Sequence, residues 1–209
     1  MPVIKGNRLP VPKALGSHHF FYYTNPPAFD PKHVKCVVEH IKAQLDRQTY
    51  RSTEVSLFTY QELMGSSKSV ADAFCALMDA FKSPVIRREQ ADVLACQWAP
   101  AHVDDSFAGS AFYSVVLHTG PHPYIMELLH TQKQRYDKSQ LNVVNTAKEL
   151  RCGDAFIFDP TTPHYAAPKI PHQRELLILL QTELNDDTKE ERKLLLKAHP
   201  PLNLERCVY

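Results

Sequence analysis

The chain lacks the features of a membrane-spanning protein and of a protein that binds polyanions such as nucleic acid. Its longest uninterrupted apolar run is far shorter than the roughly 20 residues that a helix needs to cross a bilayer. Its formal net charge is only +1, which predicts no strong non-specific attraction to nucleic acid or anionic lipid. The first residues also lack the charged-then-apolar pattern of a secretory signal. We therefore expect a cytoplasmic protein that does not associate with membranes, and the near-neutral charge disfavours binding to long nucleic acids without excluding it.

The cysteines lack the spacing of a disulfide framework or a zinc ribbon. There are five, an odd number, and no two stand in C-x-x-C order. We therefore expect reduced thiols, as in a cytosolic protein. Cys36, Cys75 and Cys96 fall inside apolar patterns and are predicted to lie in the core, as is Trp98, the single tryptophan.

The length of 209 residues and the hydrophobic content of 44% suit a single domain, 1–209, with one core. Its first part, residues 1–84, contains two amphipathic patterns. The first predicts a helix with Asp30 as N-cap and Pro31 as its first residue. The second predicts a helix that is capped by Ser66 or Ser67 and ended by Pro84. An aromatic segment, residues 18–23, is predicted to be an edge strand.

Residues 85–184 carry many short strand-like runs separated by Gly and Pro turn signals. This pattern predicts a β-barrel or jelly roll, with the preceding helices packed on one face. The expected fold is therefore mainly β with buttressing helices. Residues 185–209 are predicted to form one helix and a Pro-containing tail. The predicted strands lie at Val93–Trp98, Ala111–Leu117, Leu141–Val144, Ala155–Phe158, Tyr165–Ala167 and Leu176–Gln181.

Two metal-ligand residue types follow the first of these strands. His102 and Asp104 are two positions apart, and residues i and i+2 of an extended chain point to the same side. An imidazole nitrogen and a carboxylate oxygen can therefore converge on one point. They would form two thirds of the 2-His-1-carboxylate triad, which suits non-haem Fe(II). Asp105 is the alternative carboxylate, but its position in the alternation disfavours it.

A second His and a basic residue occur near the C-terminus. His164 follows the apolar run 155–158, and a Pro-bounded turn at 168–171 leads to a strand that opens with Arg174. If the turn closes a hairpin, His164 and Arg174 become cross-strand neighbours. One can then bind a metal while the other binds the far carboxylate of a ligand on that metal, since a guanidinium holds a carboxylate through two hydrogen bonds.

At this point the chain resembles the Fe(II)/2-oxoglutarate-dependent oxygenase superfamily, and most closely its prolyl-hydroxylase-like branch. The resemblance covers roughly residues 90–183 and rests on His102, Asp104, His164 and Arg174, together with the Gly-Asp-Ala-Phe-Ile-Phe sequence before the distal His. It implies a double-stranded β-helix (jelly-roll) core. It also implies that His102, Asp104 and His164 hold Fe(II) and that Arg174 binds the C5 carboxylate of the co-substrate, 2-oxoglutarate. With dioxygen, such an enzyme hydroxylates a C–H bond and releases succinate and CO2.

One departure concerns the co-substrate. Some families place Ser or Thr two residues after the Arg, whereas this chain has Leu176 there. Tyr113 or Ser114, on the strand after His-x-Asp, is predicted to supply the missing hydroxyl. Lys169 is an alternative to Arg174, but it lies in the Pro168–Pro171 turn and is disfavoured.

Two alternative interpretations remain open at this level. The same His and Asp residues would also suit a cupin-like non-redox metal-binding protein, which would have no use for the carboxylate-binding Arg174. A second His group is the other candidate metal site, but the His118-x-x-x-His122 pair spans Gly120-Pro121 and belongs to a loop. That group comprises His118, His122, His130 and His172.

The sequence does not identify the substrate. A protein residue, an amino acid and another small molecule all suit the predicted site. The segment 119–140 is long for a strand connection, so we expect it to be a loop that shapes substrate access together with the aromatic N-terminal segment.

Overall fold

The computed structural model describes most of the chain between Phe21 and Leu202. The described residues are 21–47, 55–81, 83, 86–104, 110–133, 141–170, 176–185, 194, 197–198 and 200–202.

Two antiparallel sheets build the molecule, one with seven strands and one with four. Four strand pairs are nested along the chain: β3 pairs with β10, β4 with β9, β5 with β8, and β6 with β7. Nested pairing of eight strands across two sheets defines a jelly roll. The predicted double-stranded β-helix core is therefore confirmed. The eight strands are β3 Ala91–Cys96, β4 Ala99–His102, β5 Ser110–His118, β6 Tyr124–Lys133, β7 Leu141–Leu150, β8 Ala155–Phe158, β9 His164–Pro168 and β10 Leu177–Asn185.

Three short strands extend the larger sheet. Strand β2, Ser56–Phe58, pairs with β3 at one side. Strand β1, Phe21–Thr24, pairs with β8 at the other side, and β11, Pro201–Leu202, pairs with β1. The described part of the aromatic segment, residues 21–23, is thus a strand as predicted, but it is not an edge, because β11 pairs with it. Apart from helical positions at 194 and 197–198, the predicted C-terminal helix lies outside the described residues.

Helices cover the outer face of the larger sheet. Helix α1, Pro31–Arg47, begins at the predicted residue, where Asp30 Oδ1 accepts a hydrogen bond from the Lys32 amide at 2.9 Å. Helix α3, Lys68–Ala80, follows its predicted cap, Ser67. A short helix that we did not predict, α2 at Tyr60–Met64, begins at a capping box in which Thr59 and Glu62 satisfy each other's backbone amides.

Alternation along the strands of the larger sheet separates two cores. On β5, Tyr113, Val115 and Leu117 face the helices, whereas Phe112 and Val116 face the four-stranded sheet. The helix-side core includes the predicted stripe of α3, with Val70, Phe74, Leu77 and Met78 buried. The core between the sheets contains six buried aromatic residues and includes residues that line the candidate site described below.

Three sequence-based expectations are wrong in detail. Residues 124–133, predicted as part of a loop, form β6, and Tyr124 is fully buried with its hydroxyl donating to the Gln97 carbonyl at 3.1 Å. Trp98 is 42% exposed, because it lies in the tight turn between β3 and β4. Of the three cysteines placed in the core, only Cys96 is buried, while Cys36 and Cys75 are partly exposed.

The turn between β7 and β8 depends on one glycine. Gly153 has a φ of 88°, a backbone conformation that residues with a Cβ rarely adopt. Its amide donates to the Val116 carbonyl at 2.8 Å, so the turn is fixed to β5. A Cβ added at this position would meet nothing within 4 Å, which leaves backbone strain as the only cost of a substitution.

We therefore predict that Gly153→Ala lowers the free energy of unfolding by about 1–2 kcal/mol, the usual cost of the left-handed region for a residue with a Cβ. Urea unfolding of the metal-free protein measures this change. Gly153→Asn serves as the matched control and should lose less, because Asn tolerates positive φ better than Ala. Equal stability of the wild type and both variants would contradict the conclusion that the β7–β8 turn needs a glycine at position 153.

Candidate metal centre

Strand pairing brings the three predicted ligands together. His102 ends β4 and pairs directly with His164, the first residue of β9. Asp104 follows two residues after His102, and its amide donates to the Pro160 carbonyl at 3.1 Å. That bond ties the segment after β4 to the segment before β9. The predicted ligands therefore come from two neighbouring strand ends, although Asp104 and His164 are 60 positions apart in the sequence.

The donor atoms face one point. Asp104 Oδ1 lies 3.9 Å from His102 Nε2, and Asp104 Oδ2 lies 3.8 Å from His164 Nε2. All three donor atoms lie within 4.8 Å of one another. Adjacent ligands of a bound divalent metal stand about 3 Å apart, so these separations are about 1 Å longer. Two imidazoles and one carboxylate are the donors that a 2-His-1-carboxylate metal site requires.

Hydrogen bonds fix which nitrogen of each imidazole faces this point. Nδ1 of His102 lies 2.7 Å from the Pro100 carbonyl, and Nδ1 of His164 lies 2.7 Å from the Thr162 carbonyl. A carbonyl oxygen only accepts, so each Nδ1 carries a proton and each Nε2 is the nitrogen left to bind a metal. This is the arrangement that orients metal-binding histidines in proteins. The ring of Phe158 packs edge-on against His164 with 5.2 Å between the centroids.

The two histidines differ in exposure. The His164 side chain is only 8% exposed, whereas that of His102 is 37% exposed. Burial lowers the pKa of His164, and the neighbouring His102 lowers it further, although Asp104 acts in the opposite direction. His164 is therefore held neutral, the form that binds a metal. The exposed side of the cluster leaves room for further ligands.

The cluster lies in the wall of a cavity between the two sheets. The cavity has a volume of about 590 Å³ and an open side beside β2, where Val55 and Leu57 line it and yet remain 42% and 51% exposed. Such a volume accommodates a small-molecule ligand. Apart from the three predicted ligands, most of the lining is apolar. It includes Leu94, Ala99, Phe112, Met126, Leu150, Phe156, Phe158, Ala166, Leu177 and Leu179.

The residues predicted to assist the co-substrate are not all at this site. Tyr113 points toward the helices, where its hydroxyl lies 3.4 Å from both the Asn25 carbonyl and the Thr24 hydroxyl, and burial raises its pKa to about 12. We therefore correct this expectation, because its position in the β5 alternation excludes Tyr113 from the cavity. Ser114 pairs with Gln181 on β10 and donates to its Oε1 at 3.0 Å; Gln181 lines the cavity, whereas Ser114 does not. Its role in binding co-substrate stays a prediction.

Arg174 lies outside the described residues, as do Asp105 and His172. Among the residues that the structure describes, only one group of three or more His, Cys, Asp or Glu side chains is arranged to hold a metal, and it contains neither His118 nor His122. Lys169, the disfavoured alternative to Arg174, donates to Glu149 Oε2 at 2.7 Å. Glu149 is buried and also binds Arg151.

Sequence reasoning missed one charged residue inside the barrel. Lys148 pairs across β6–β7 with Met126, a cavity-lining residue, so its side chain points between the sheets. Its Nζ lies 5.5 Å from the centroid of Phe21, which stacks on cavity-lining Phe156. Burial lowers the pKa of Lys148. The sequence feature that could have predicted this orientation is that Lys148 is two positions before Leu150 on β7, so the two side chains point to the same face.

Comparisons with known proteins give only distant similarities. No protein-family model matches the chain, and neither does any curated protein. Among solved structures, the non-heme alpha ketoglutarate dependent epimerase SnoN from nogalamycin biosynthesis is 14% identical, with 91% of this chain and 88% of SnoN covered and a TM-score of 0.48. The carbocyclase SnoK from the same biosynthesis is 11% identical, with both chains fully covered and a TM-score of 0.47.

A further structure holds SnoN in complex with Fe3+, alpha ketoglutarate and nogalamycin RO; it is 15% identical, with 81% of this chain and 79% of that chain covered and a TM-score of 0.44. Identities and scores this low do not transfer an activity or a ligand to the present chain. Its jelly roll is established by its own strand pairing.

We predict that His102→Ala, Asp104→Ala and His164→Ala each weaken divalent metal binding by more than about 100-fold, because loss of even an outer partner of a ligand costs 10–100-fold. Anaerobic equilibrium dialysis with Fe(II) or Co(II) measures the affinity. His122→Ala is the matched control, since His122 is exposed and lies outside the cluster. Undiminished binding in the His164 variant, or equal loss in the His122 variant, would refute the site.

Lys148 gives a second prediction, about stability and pH. Because its pKa is lowered in the folded protein, folding carries a penalty that is complete below the folded pKa and is relieved as the pH rises toward the ordinary value of 10.5. Lys148→Met should therefore raise the urea midpoint of the metal-free protein at pH 7, and the gain should shrink at pH 10. A gain of equal size at both pH values would show that packing, and not charge, is responsible.

Proposed function

We propose that the protein is an Fe(II)- and 2-oxoglutarate-dependent dioxygenase. In this proposal it hydroxylates a C–H bond of a protein residue, an amino acid or another small substrate, with release of succinate and CO2. The observation that carries the proposal is the convergence of His102 Nε2, His164 Nε2 and the Asp104 carboxylate at the wall of an apolar jelly-roll cavity. Three protein ligands of this type leave coordination positions for co-substrate and dioxygen.

The chain would contribute three things to the reaction. His102, Asp104 and His164 would hold Fe(II), with both imidazoles fixed by their Nδ1 hydrogen bonds. The apolar lining would exclude water from the reacting groups. The open side beside β2 would admit the substrate. When bound, iron and 2-oxoglutarate would supply the oxidative chemistry, in which 2-oxoglutarate is decarboxylated as dioxygen is reduced.

Arg174 remains the proposed partner of the C5 carboxylate of 2-oxoglutarate. The described chain resumes at Leu176, and Leu177, which pairs with Cys96 near the β3–β4 turn, lines the cavity. Arg174 is three residues before Leu177 in the sequence, and this proximity supports the proposal. The ten-residue spacing between His164 and Arg174 is also the reason to propose the prolyl-hydroxylase-like branch.

The second candidate is a cupin-like metal-binding protein without redox activity. The same three ligands would serve it, and zinc also accepts His and Asp donors. It predicts no specific binding of 2-oxoglutarate, so a titration with this co-substrate separates the two.

We expect anaerobic addition of Fe(II) and then 2-oxoglutarate to produce the weak visible metal-to-ligand charge-transfer band of a chelated 2-oxo acid. The band should require a higher 2-oxoglutarate concentration in Arg174→Ala, by about tenfold or more, because a charge-assisted bidentate contact is lost. It should be absent in His164→Ala. Arg151→Ala is the matched control, since Arg151 binds Glu149, which lies on the face of β7 opposite Leu150.

Iron bound without any band would favour the non-redox protein. A band of unchanged affinity in Arg174→Ala would remove Arg174 from the proposal and leave Lys148 as the cation to examine. Succinate formed on addition of dioxygen, measured by chromatography, would confirm co-substrate turnover before any substrate is known.

A further inference from the structure

The inference concerns the chemical class of the substrate and rests on the proposed function. Its first observation is that the cavity face of the larger sheet changes from apolar to polar along its strands. Leu177 pairs with Cys96 and Leu179 with Leu94, whereas the next inward-facing pair is Gln181 with Asp92. Glu183 follows on β10, and all of these side chains line the cavity. The cavity thus has an apolar end and a polar end.

The polar end is the end at which the metal ligands lie. Strands β3 and β4 are joined by the two residues Gln97 and Trp98, so the chain reverses there. Residues far from this turn on either strand therefore lie at the same end of the barrel. Asp92 is near the start of β3 and His102 is at the end of β4. The two face the cavity from opposite sheets, and packed sheets stand about 10 Å apart.

The charges at this end have one sign. Among the described residues that line the cavity, the charged side chains are Asp92, Asp104 and Glu183, and there is no lysine or arginine. Asp104 belongs to the ligand cluster. Asp92 is partly buried and accepts a hydrogen bond from the Tyr60 amide, and no cationic partner is described for it. A carboxylate that is partly removed from water is stabilised by a cation.

Asp92 also shows the electrostatic effect of this position. Burial raises its pKa, and nearby Glu62 raises it further, against the lowering effect of the Tyr60 amide. A positively charged ligand group would favour the ionised carboxylate, whereas a negatively charged one would meet repulsion. Gln181, held by Ser114 at 3.0 Å, offers a neutral hydrogen-bonding group beside Asp92.

We propose that the substrate carries a cationic amine on an apolar body, with the amine bound at Asp92 and the apolar part lying against Leu94, Leu179 and Phe112. This places the amine across the cavity from the metal ligands, and the oxidised carbon a few bonds away from the charge. A substrate that places a carboxylate instead of an amine at Asp92 would be repelled by this charge. Val55 and Leu57 at the open side extend the apolar contact toward solvent.

Three probes with one apolar body test this assignment: 4-phenylbutylamine, 4-phenylbutanol and 4-phenylbutanoate. Their dissociation constants are measured by ligand-observed NMR and calorimetry on the full chain, both loaded with Co(II) and free of metal. We expect the amine to bind about tenfold more tightly than the alcohol, as one charge-assisted hydrogen bond provides, and the carboxylate to bind most weakly. Asp92→Asn should remove the advantage of the amine, and Asp92→Lys should reverse the order of amine and carboxylate.

Asp72→Asn is the matched control, because Asp72 is exposed on α3 and its substitution removes the same charge at a position away from the cavity. It should leave all three affinities unchanged. The assignment is overturned if the alcohol or carboxylate binds as tightly as the amine, if the advantage survives in Asp92→Asn, or if none of the probes binds.

Probe binding to metal-free protein and the titration with 2-oxoglutarate together separate this proposal from the proposed function. A preference for the amine in protein that binds no metal would support the assignment of the cavity and overturn the oxygenase. A charge-transfer band with 2-oxoglutarate but no preference for the amine would support the oxygenase and overturn only the substrate class.

Discussion

The pairing of β4 with β9 is the constraint on which the functional site depends. It places His102 opposite His164, while the register shifts between Ala99 and His102. His102 and His164 are far apart in the sequence, and this pairing brings their two imidazoles together in space. The Asp104 amide reinforces it by donating to the Pro160 carbonyl, just before β9. Backbone bonds therefore bring together the strand ends that carry the three donor side chains.

The same architecture explains why an apolar cavity surrounds a polar cluster. The larger sheet is covered by helices on one face, which leaves its other face to pack against a sheet of only four strands. Strand β2 extends beyond this smaller sheet, so Val55 and Leu57 line the cavity and yet contact solvent. The cluster thus lies in the wall of a mostly apolar cavity, with His102 and Asp104 partly exposed.

The sequence predicted features that depend on local spacing and failed where long-range packing decides. The Asp30 and Ser67 caps, the stripe of α3 and the convergence of His102 with Asp104 all follow from periodicity within a few residues. The sequence alone does not distinguish Tyr113 from Ser114 as the hydroxyl that assists the co-substrate. The packing of α1 and α3 determines which face of β5 lies against the helices and which faces the four-stranded sheet. The prediction of a loop at 119–140 fails because β6 pairs with β7 and β9, and these long-range partners are not visible in local spacing. The Thr59–Glu62 capping box, by contrast, is a local pattern that the sequence alone can predict.

The nested strand pairing has a consequence for the assembly of the molecule. The outermost pair, β3 with β10, joins segments more than 80 residues apart in the chain, and the predicted ligands His102 and His164 are 62 positions apart. Contacts at such separation form late and slowly, because the intervening chain must lose its freedom first. A metal that binds all three ligands recognises only the completed barrel, so its binding energy adds directly to the stability of the fold. The metal concentration during synthesis would therefore influence how much protein survives as well as how much is active.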